Sequence, residues 1–234
     1  MESEPVFETF ASRAALVEAV SCRVVSVLTA AIMRDGCGEI AASGGSTPEA
    51  LYKRLGARDE LDWEQLRVTL VDERWVGTDH PRSNEAFVRG AFADADPEIV
   101  GLYNGAPTPD AALDDIAARL SDRKKPFDVV VLGLGVDGHT ASWFPDADGL
   151  ADVLTSGSQI CTVKAKPSDV TGDEVERMTL SLAAIKDAEL IVLMIVGDAK
   201  KAAFEQVLEM GPVEDMPARA ILRTRPDMMI AWAP

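Results

Sequence analysis

The residue types best suited to proton transfer stand together in one glycine-rich stretch, residues 133–145. Within it, Asp137 and His139 are two positions apart, and His139 is one of only two histidines in the chain. A carboxylate beside an imidazole is typical of a general base, because the acid can orient the ring and stabilise its charged form. The preceding apolar run, residues 127–132, predicts a buried strand that would place the pair at a sheet edge.

The glycines of this stretch also match the G-x-G-x-x-G spacing of dinucleotide-binding turns. That alternative is disfavoured because Pro145 would interrupt the helix that such a turn should open. The next predicted strand, residues 159–164, ends in Lys164 rather than in the acid that would hold a ribose. A tight turn with a structural His139 bonded to its own backbone is the other alternative.

A second candidate site is a loop of small residues between a predicted strand, residues 39–42, and a predicted helix, residues 48–55. The loop consists of Ser43, Gly44, Gly45, Ser46 and Thr47. Glycine-rich backbone at a helix N-terminus forms a cradle for anions, so the loop predicts a phosphate site. The alternative is an ordinary turn in which Thr47 caps the helix and Pro48 occupies its first position.

Charged residues near other strand ends supply the remaining candidates. A predicted strand over residues 67–72 runs into Asp72 and Arg74, and Arg177 and Lys200 lie beside the ends of later strands. Parallel strands bring their carboxyl ends to one edge of a sheet, so we expect these side chains near the glycine-rich stretch. The cations would then suit a phosphate, whereas the alternative for each is a solvated surface charge.

The elements that must position these residues alternate between strand and helix. Further strands are predicted at residues 177–182, 190–196 and 228–232, with a short one within 97–104. Helices are predicted at residues 6–34, 85–92, 109–123, 183–188 and 199–209, the last with Ala203, Val207 and Met210 on its inner face. Residues 146–158 and 165–174 are predicted to be irregular. This alternation predicts an α/β fold, an open and mostly parallel sheet covered by helices on both faces, in a single domain over residues 1–234.

Composition narrows the partners and the compartment. The net charge of −16 disfavours nucleic acid and anionic membrane as partners, and it makes the basic clusters meaningful. Three scattered cysteines without a C-x-x-C pair predict reduced thiols, and two histidines are too few for most histidine-based metal sites. The second histidine, His80, precedes a proline in a loop and is expected to be exposed. With no continuous apolar run of membrane-span length and no basic leader, the sequence predicts a cytoplasmic protein.

Several blocks of the chain together resemble the 6-phosphogluconolactonase family. They are the blocks 43–48, 72–74 with Ser83 and Asn84, 135–145, Arg177 to Leu180, 197–200, and 217–218. The block 135–145 is the most specific, and the blocks span most of the chain in the order of the family. The wider superfamily includes glucosamine-6-phosphate deaminase and ribose-5-phosphate isomerase, and the resemblance implies its α/β/α sandwich. This chain departs from the usual pattern at Gly77, Val136 and Trp143, which affects loop geometry rather than reacting groups.

The resemblance implies hydrolysis of 6-phospho-D-glucono-1,5-lactone to 6-phosphogluconate in the oxidative pentose phosphate pathway. From the cysteine and histidine pattern, we expect the reaction to need no metal, and no cofactor is expected. The resemblance further implies that His139 is the general base and Arg74 an active-site cation. It also implies a phosphate site, made of Gly44, Gly45 and Ser46 with Arg177 and Lys200. Asp72 and Asp137 match acidic positions of the superfamily, and which of them supports the base is left open.

Two other functions compete with lactone hydrolysis. An amino-sugar-phosphate deaminase or isomerase would use the same fold, although residues 140–145 favour the lactonase. A regulator that binds a sugar phosphate without catalysis would not need the acid and histidine that this chain retains. A lactone is an activated ester, and the chain has no Gly-x-Ser-x-Gly elbow, so we expect a water nucleophile. The expected partner is a small phosphosugar lactone, and the chain is expected to be a monomer or a homodimer.

Overall fold

A computed structural model describes residues 6–122 and 125–234. Ten strands lie in these ranges: β1 (Val6–Thr9), β2 (Gly38–Ala42), β3 (Leu66–Leu70), β4 (Asp72–Arg74), β5 (Glu98–Val100), β6 (Val129–Gly133), β7 (Ile160–Lys164), β8 (Glu176–Leu180), β9 (Leu190–Val196) and β10 (Met229–Ala233). The helices are α1 (Arg13–Asp35), α2 (Ser46–Gly56), α3 (Asn84–Ala91), α4 (Pro109–Ser121), α5 (Leu150–Thr155), α6 (Leu182–Ile185), α7 (Asp198–Leu208) and α8 (Ala218–Thr224).

Seven strands form one parallel sheet in the order β1-β10-β9-β6-β2-β3-β5. Helices flank this sheet, so the predicted α/β fold with a mostly parallel sheet is confirmed. The buried strands are almost wholly apolar, as expected where both faces of a parallel sheet are covered. β9 shows this best, since its five central residues, 191–195, are all buried.

A second, smaller sheet was not predicted. Its three antiparallel strands are ordered β4-β8-β7, and β4 pairs Asp72 with Thr179 and Arg74 with Arg177. The predicted strand over residues 67–72 is therefore two strands, because the chain leaves the main sheet after Leu70 and joins the small one at Asp72. The small sheet stands beside the carboxyl ends of the main strands and carries two of the candidate cations there.

The predicted helix over residues 6–34 is wrong at its beginning. Val6–Thr9 is an edge strand that pairs in parallel with β10, and the helix starts only after Ser12. The Ser12 hydroxyl accepts a hydrogen bond from the Ala15 amide at 3.2 Å, which fixes that start. The helical spacing of apolar residues begins at Leu16, so the first residues lacked the pattern that defined the rest.

Two other local predictions are also wrong. Residues 146–158 are not wholly irregular, because Leu150–Thr155 form α5, with Gly149 as its N-cap. Met210 does not belong to the inner face of α7, since the helix ends at Leu208 and Met210 is 95% exposed. The remaining predicted strands and helices lie within a few residues of the observed ones, and the end predicted for α4, Arg123, lies outside the described residues.

One helix in the described ranges, α1, is long and apolar enough to cross a membrane by those two criteria alone. Its inward face is nevertheless buried in the protein, through Leu16, Val20, Val24 and Leu28. Buried residues at three- and four-residue spacing are what a helix packed on a sheet requires. We therefore interpret α1 as a core helix.

Candidate active site

A cleft of about 310 Å³ opens at the carboxyl ends of β2, β6 and β9, beside the small sheet. The cleft is in the usual size range for a small-molecule site. Its lining includes most of the predicted site residues: Ser43, Gly44, Gly45, Asp72, Arg74, His139, Arg177 and Lys200. Segments distant in the sequence therefore meet at one edge of the sheet.

The turn after β6 holds the acid and the histidine in direct contact. The Nδ1 atom of His139 lies 2.5 Å from Oδ1 of Asp137, and the same oxygen accepts the His139 backbone amide at 3.2 Å. Partial burial opposes ionisation of Asp137, but its bonds with His139 outweigh burial and lower the pKa of that carboxyl. Asp137 is thus held as an anion that orients the imidazole. His139 lines the cleft, whereas Asp137 does not.

Two glycines make this turn possible. A Cβ at Gly135 would overlap both the His139 ring and the Asp137 carboxylate. Gly138 has φ +80°, and a Cβ there would press on Met216 at 2.8 Å. The Gly138 carbonyl accepts a hydrogen bond from the Ala218 amide at 2.9 Å, so the N-terminus of α8 also holds the turn in place.

One aromatic ring contacts both the histidine and a cation. The Phe144 ring lies 4.4 Å from the His139 ring, centroid to centroid, and the Arg177 guanidinium carbon lies 5.4 Å from the Phe144 centroid. Phe144 therefore packs against the imidazole and receives a cation–π contact from the guanidinium. The sequence placed Phe144 only in the family block and did not predict its contact with His139.

The small sheet brings two arginines to the cleft. Arg74 and Arg177 are directly opposite in the β4–β8 ladder, where like charges are unfavourable unless something compensates them. Arg177 is 2% exposed, and burial lowers its pKa to about 10 while the charge of Asp72 opposes that change. Its Nε and NH2 groups donate to the carbonyls of Glu174 and Thr171, at 2.7 and 2.9 Å. An anion in the cleft would relieve the repulsion between the two arginines.

Asp72 is held by neighbours other than the histidine. Its Oδ2 accepts the Ser142 hydroxyl at 2.6 Å, and Oδ1 accepts the Asn84 amide at 3.3 Å. Of the two acids, Asp137 is therefore the one whose carboxylate contacts the imidazole. Asp72 is 7% exposed and lies on the cleft wall with Arg74.

Asn84 also lines the cleft, although the sequence placed it only with Ser83 in the family block and predicted no role for it in the site. Its Oδ1 accepts from Arg74 NH1 at 2.8 Å, while its Nδ2 donates to the Asp72 carbonyl at 2.9 Å. The fully buried Glu73 holds the start of α3 beside β4, because its carboxylate accepts hydrogen bonds from the backbone amides of Asn84 and Glu85, both at 2.7 Å. Burial raises the pKa of Glu73 to about 7, although these backbone bonds oppose the shift. The signal in the sequence was the pair Ser83-Asn84 after the acidic strand.

The small-residue loop opens α2 in a form suited to an anion. Gly45, at φ +100°, is the N-cap, and Ser46 starts the helix, so the predicted cap by Thr47 is wrong. A glycine cap has no side chain to occupy the first amides of the helix, which therefore stay available to a ligand. Ser43, Gly44 and Gly45 line the cleft, whereas Ser46 and Thr47 lie within the first turn and do not line it.

The loop after β9 has the same form. Gly197, at φ +86°, caps α7, and Lys200 projects from the first turn into the cleft wall. Burial lowers the pKa of Lys200. The cleft lining thus includes the glycine cap of α2 and a partly buried ammonium group from the first turn of α7, both suited to an anion such as phosphate.

The other histidine is outside this arrangement. His80 is half-exposed, and its Nε2 lies 3.8 Å from Glu174 in a surface cluster with Arg82. No cluster of three or more histidine, cysteine, aspartate or glutamate side chains suited to a metal ion occurs within residues 6–122 and 125–234.

Comparison with known proteins assigns this arrangement to a family. The family model described as glucosamine-6-phosphate isomerases/6-phosphogluconolactonase matches residues 11–232. A 6-phosphogluconolactonase of Rhizobium meliloti is 39% identical over 96% of this chain and 97% of its own length, and one of Mesorhizobium japonicum is 40% identical over 97% and 95%. A crystal structure of a 6-phosphogluconolactonase from Shewanella baltica, 37% identical, superposes with a TM-score of 0.93 over 100% of both chains. The chain belongs to the glucosamine-6-phosphate isomerase/6-phosphogluconolactonase family.

Proposed function

We propose that this chain hydrolyses 6-phospho-D-glucono-1,5-lactone to 6-phospho-D-gluconate, with water as the nucleophile and His139 as its general base. The relatives' shared name supports the hydrolase activity. The observation that carries the mechanism is the contact of His139 with Asp137 in a cleft that also holds Arg74, Arg177 and Lys200.

Proton transfer follows from the way the imidazole is held. An ionised Asp137 accepts a hydrogen bond from Nδ1–H, which leaves the lone pair of Nε2 for a water molecule. As water adds to the lactone carbonyl carbon, its proton passes to Nε2. When the bond from that carbon to the ring oxygen breaks, the imidazolium returns the proton to the departing oxygen, which becomes a hydroxyl. The Asp137 charge stabilises the imidazolium in between.

Charge develops on the carbonyl oxygen during this addition, and Arg74 is the cation we assign to it. The Arg74 NH1 group is held by the Arg82 carbonyl at 2.7 Å and by Asn84, so the guanidinium is fixed before substrate arrives. A preorganised cation in a partly buried cleft stabilises an oxyanion more than water does. Asp72 keeps this region rigid through Ser142 and Asn84.

The phosphate is assigned to the part of the cleft at the start of α2. The loop of Ser43, Gly44 and Gly45 with the first amides of α2 would bind its oxygens, and Lys200 and Arg177 would neutralise its charge. Ser46 and Thr47 would contribute through the start of the helix rather than through direct contact. The Ser43 hydroxyl supports this assignment, because it is buried and has no hydrogen-bond partner in the described part of the chain.

We further propose that residues 1–234 form a single domain that acts in the cytoplasm as a monomer or homodimer, without a metal or cofactor. The lactone is a product of sugar-phosphate oxidation, and its hydrolysis belongs to the oxidative pentose phosphate pathway. The small, partly charged cleft supports a phosphosugar as the partner.

The test is hydrolysis of freshly prepared 6-phosphogluconolactone, corrected for the spontaneous rate, with unphosphorylated gluconolactone in parallel. Loss of one charge-assisted bond of roughly 1.5–3 kcal/mol should lower kcat/KM on the phosphorylated lactone about ten- to a hundredfold in Lys200→Ala or Arg177→Ala. The unphosphorylated lactone should be affected much less. Equal losses on both substrates would show that these cations do not bind the phosphate, and turnover of glucosamine 6-phosphate would favour the deaminase alternative.

A further inference from the structure

Asp72 and Arg74 are arranged as if to neutralise each other. They are two residues apart on β4, so their side chains project from the same face of the small sheet, about 7 Å apart at the backbone. An aspartate and an arginine at that separation are within reach of a direct ion pair. In the described part of the chain they form none, and each is instead bonded to Asn84.

The Asn84 carboxamide occupies the position between the two charges. Its Oδ1 faces the guanidinium, which only donates, and its Nδ2 faces the carboxylate, which only accepts. Its orientation is therefore fixed by its neighbours. A neutral side chain with a donor on one side and an acceptor on the other forms hydrogen bonds with both ions and neutralises the charge of neither.

Two features of the fold keep Asn84 there. Its backbone amide, at the start of α3, is bonded to the buried Glu73 carboxylate, so the residue cannot shift along the helix. On the other side, Gly44 leaves room for the carboxamide, since a Cβ at that position would overlap the Asn84 amide group. Gly44 is thus required for a reason apart from phosphate binding.

We propose that Asn84 is a positioning residue that holds Asp72 and Arg74 apart, so that the charge of Arg74 stays available to the anionic substrate. The inference deepens the proposed function and rests on its assignment of Arg74. Without the carboxamide, only the Arg82 carbonyl would hold Arg74 NH1, and the guanidinium could turn onto Asp72 and form an internal ion pair. The cleft would then keep its residues and its fold but lose much of its attraction for anions.

Binding of the product 6-phosphogluconate, measured by titration calorimetry, tests this independently of turnover. Asn84→Ala should weaken binding about tenfold or more, because a charge-assisted contact to the ligand is lost. Adding Asp72→Asn should restore binding to within about threefold of the Asp72→Asn protein alone, because the competing carboxylate charge is gone. A purely structural role for Asn84 predicts no such rescue.

Asn84→Asp is a second variant, for use if alanine destabilises the start of α3. Its side chain has nearly the same shape as asparagine, and the backbone bond to Glu73 is kept. This variant places an anion against Arg74, so binding should again fall about tenfold. Asn104→Ala is the matched control, since Asn104 bonds Asp115 at the surface, and it should bind as the wild type. Unchanged binding in a folded Asn84→Asp protein, or no rescue by Asp72→Asn, would overturn the inference.

Arg74→Ala separates failure of the inference from failure of the proposed function. If Arg74→Ala binds 6-phosphogluconate as tightly as the wild type, the assignment of Arg74 is wrong and the inference falls with it. If Arg74→Ala binds weakly while Asn84→Ala binds normally, the assignment stands and only the inference is wrong.

Discussion

Replacing Asp137 by asparagine removes the charge beside the proposed base, His139, while leaving the shape of the side chain almost unchanged. The carboxylate accepts from His139 Nδ1 at 2.5 Å and from the His139 amide at 3.2 Å. In the variant, the amide cannot stabilise the imidazolium, and its NH2 group can donate to Nδ1. The ring proton would then move to Nε2, where the base is needed.

The expected loss follows from the geometry. A hydrogen bond to a charged group contributes roughly 1.5–3 kcal/mol. The side chains of His139 and Asp137 are 19% and 31% exposed, so screening by water favours the lower end of that range. Since about 1.36 kcal/mol corresponds to a factor of ten, kcat should fall at least about tenfold. Loss of the correct tautomer would increase the effect towards the roughly 10⁴-fold limit of general-base catalysis.

The assay is kcat on freshly prepared 6-phosphogluconolactone, with Asp59→Asn as the control, because Asp59 is an exposed residue in the turn after α2. The Asp59→Asn protein should match the wild type. A folded Asp137→Asn protein with kcat within about threefold of the wild type would refute the reasoning, since it would show that the 2.5 Å contact does not support the base.

The pH dependence of the free energy of unfolding also tests the contact between Asp137 and His139. The folded-state pKa of Asp137 is lowered from its ordinary value of 3.8, so the ionised carboxylate contributes stability above that value and loses it as pH falls through the folded pKa. The free energy of unfolding of the wild type should therefore exceed that of Asp137→Asn at neutral pH. The difference should shrink below pH 3.8 in denaturant titrations. A difference that grows on acidification would contradict this sign.

Three further outcomes are expected. Gly135→Ala should lower kcat by about 100-fold or more, because the new Cβ overlaps the His139 ring, and a displacement of a catalytic group by about 1 Å costs roughly that factor. Gly157→Ala is the control and should leave kcat unchanged, because its new Cβ meets open space. Trp143→Leu should reduce the free energy of unfolding by about 2–4 kcal/mol in urea titrations, since it leaves a cavity and removes the 2.9 Å bond to the Leu180 carbonyl. Exhaustive chelation should leave the rate unchanged, and a loss restored by one divalent ion would contradict the proposed metal-free mechanism.

The main sheet and most of its helices were predictable because their patterns are local. β9 is a continuous apolar run, and α1 repeats apolar residues at helical spacing from Leu16 onwards. β1 was missed because four residues at a sheet edge carry too little pattern to oppose a strong helix that follows them. The small sheet was missed because β4 has three residues, all charged, and its partner β8 follows about a hundred residues later.

The candidate site shows the same division. The contact of His139 with Asp137 was predictable because the two residues and the glycines are adjacent in one turn, and the glycine loop before α2 was predictable from its composition. The contacts of Asn84 were not, since they depend on Gly44, Asp72 and Arg74 meeting in space. Thr47 was expected to cap α2, but Gly45 takes that position because the chain enters the helix with positive φ.

His139→Ala is the most direct test of the account, measured as the pH dependence of kcat on 6-phosphogluconolactone with the fold verified separately. General-base catalysis contributes about 10²–10⁴-fold, so the variant should lose about that factor while still binding 6-phosphogluconate. The decline in rate at acid pH that comes from protonating the base should disappear in the variant. His80→Ala should behave as the wild type. A folded His139→Ala protein that keeps more than about a third of the wild-type kcat would contradict the central claim, because even weak general-base catalysis exceeds that difference.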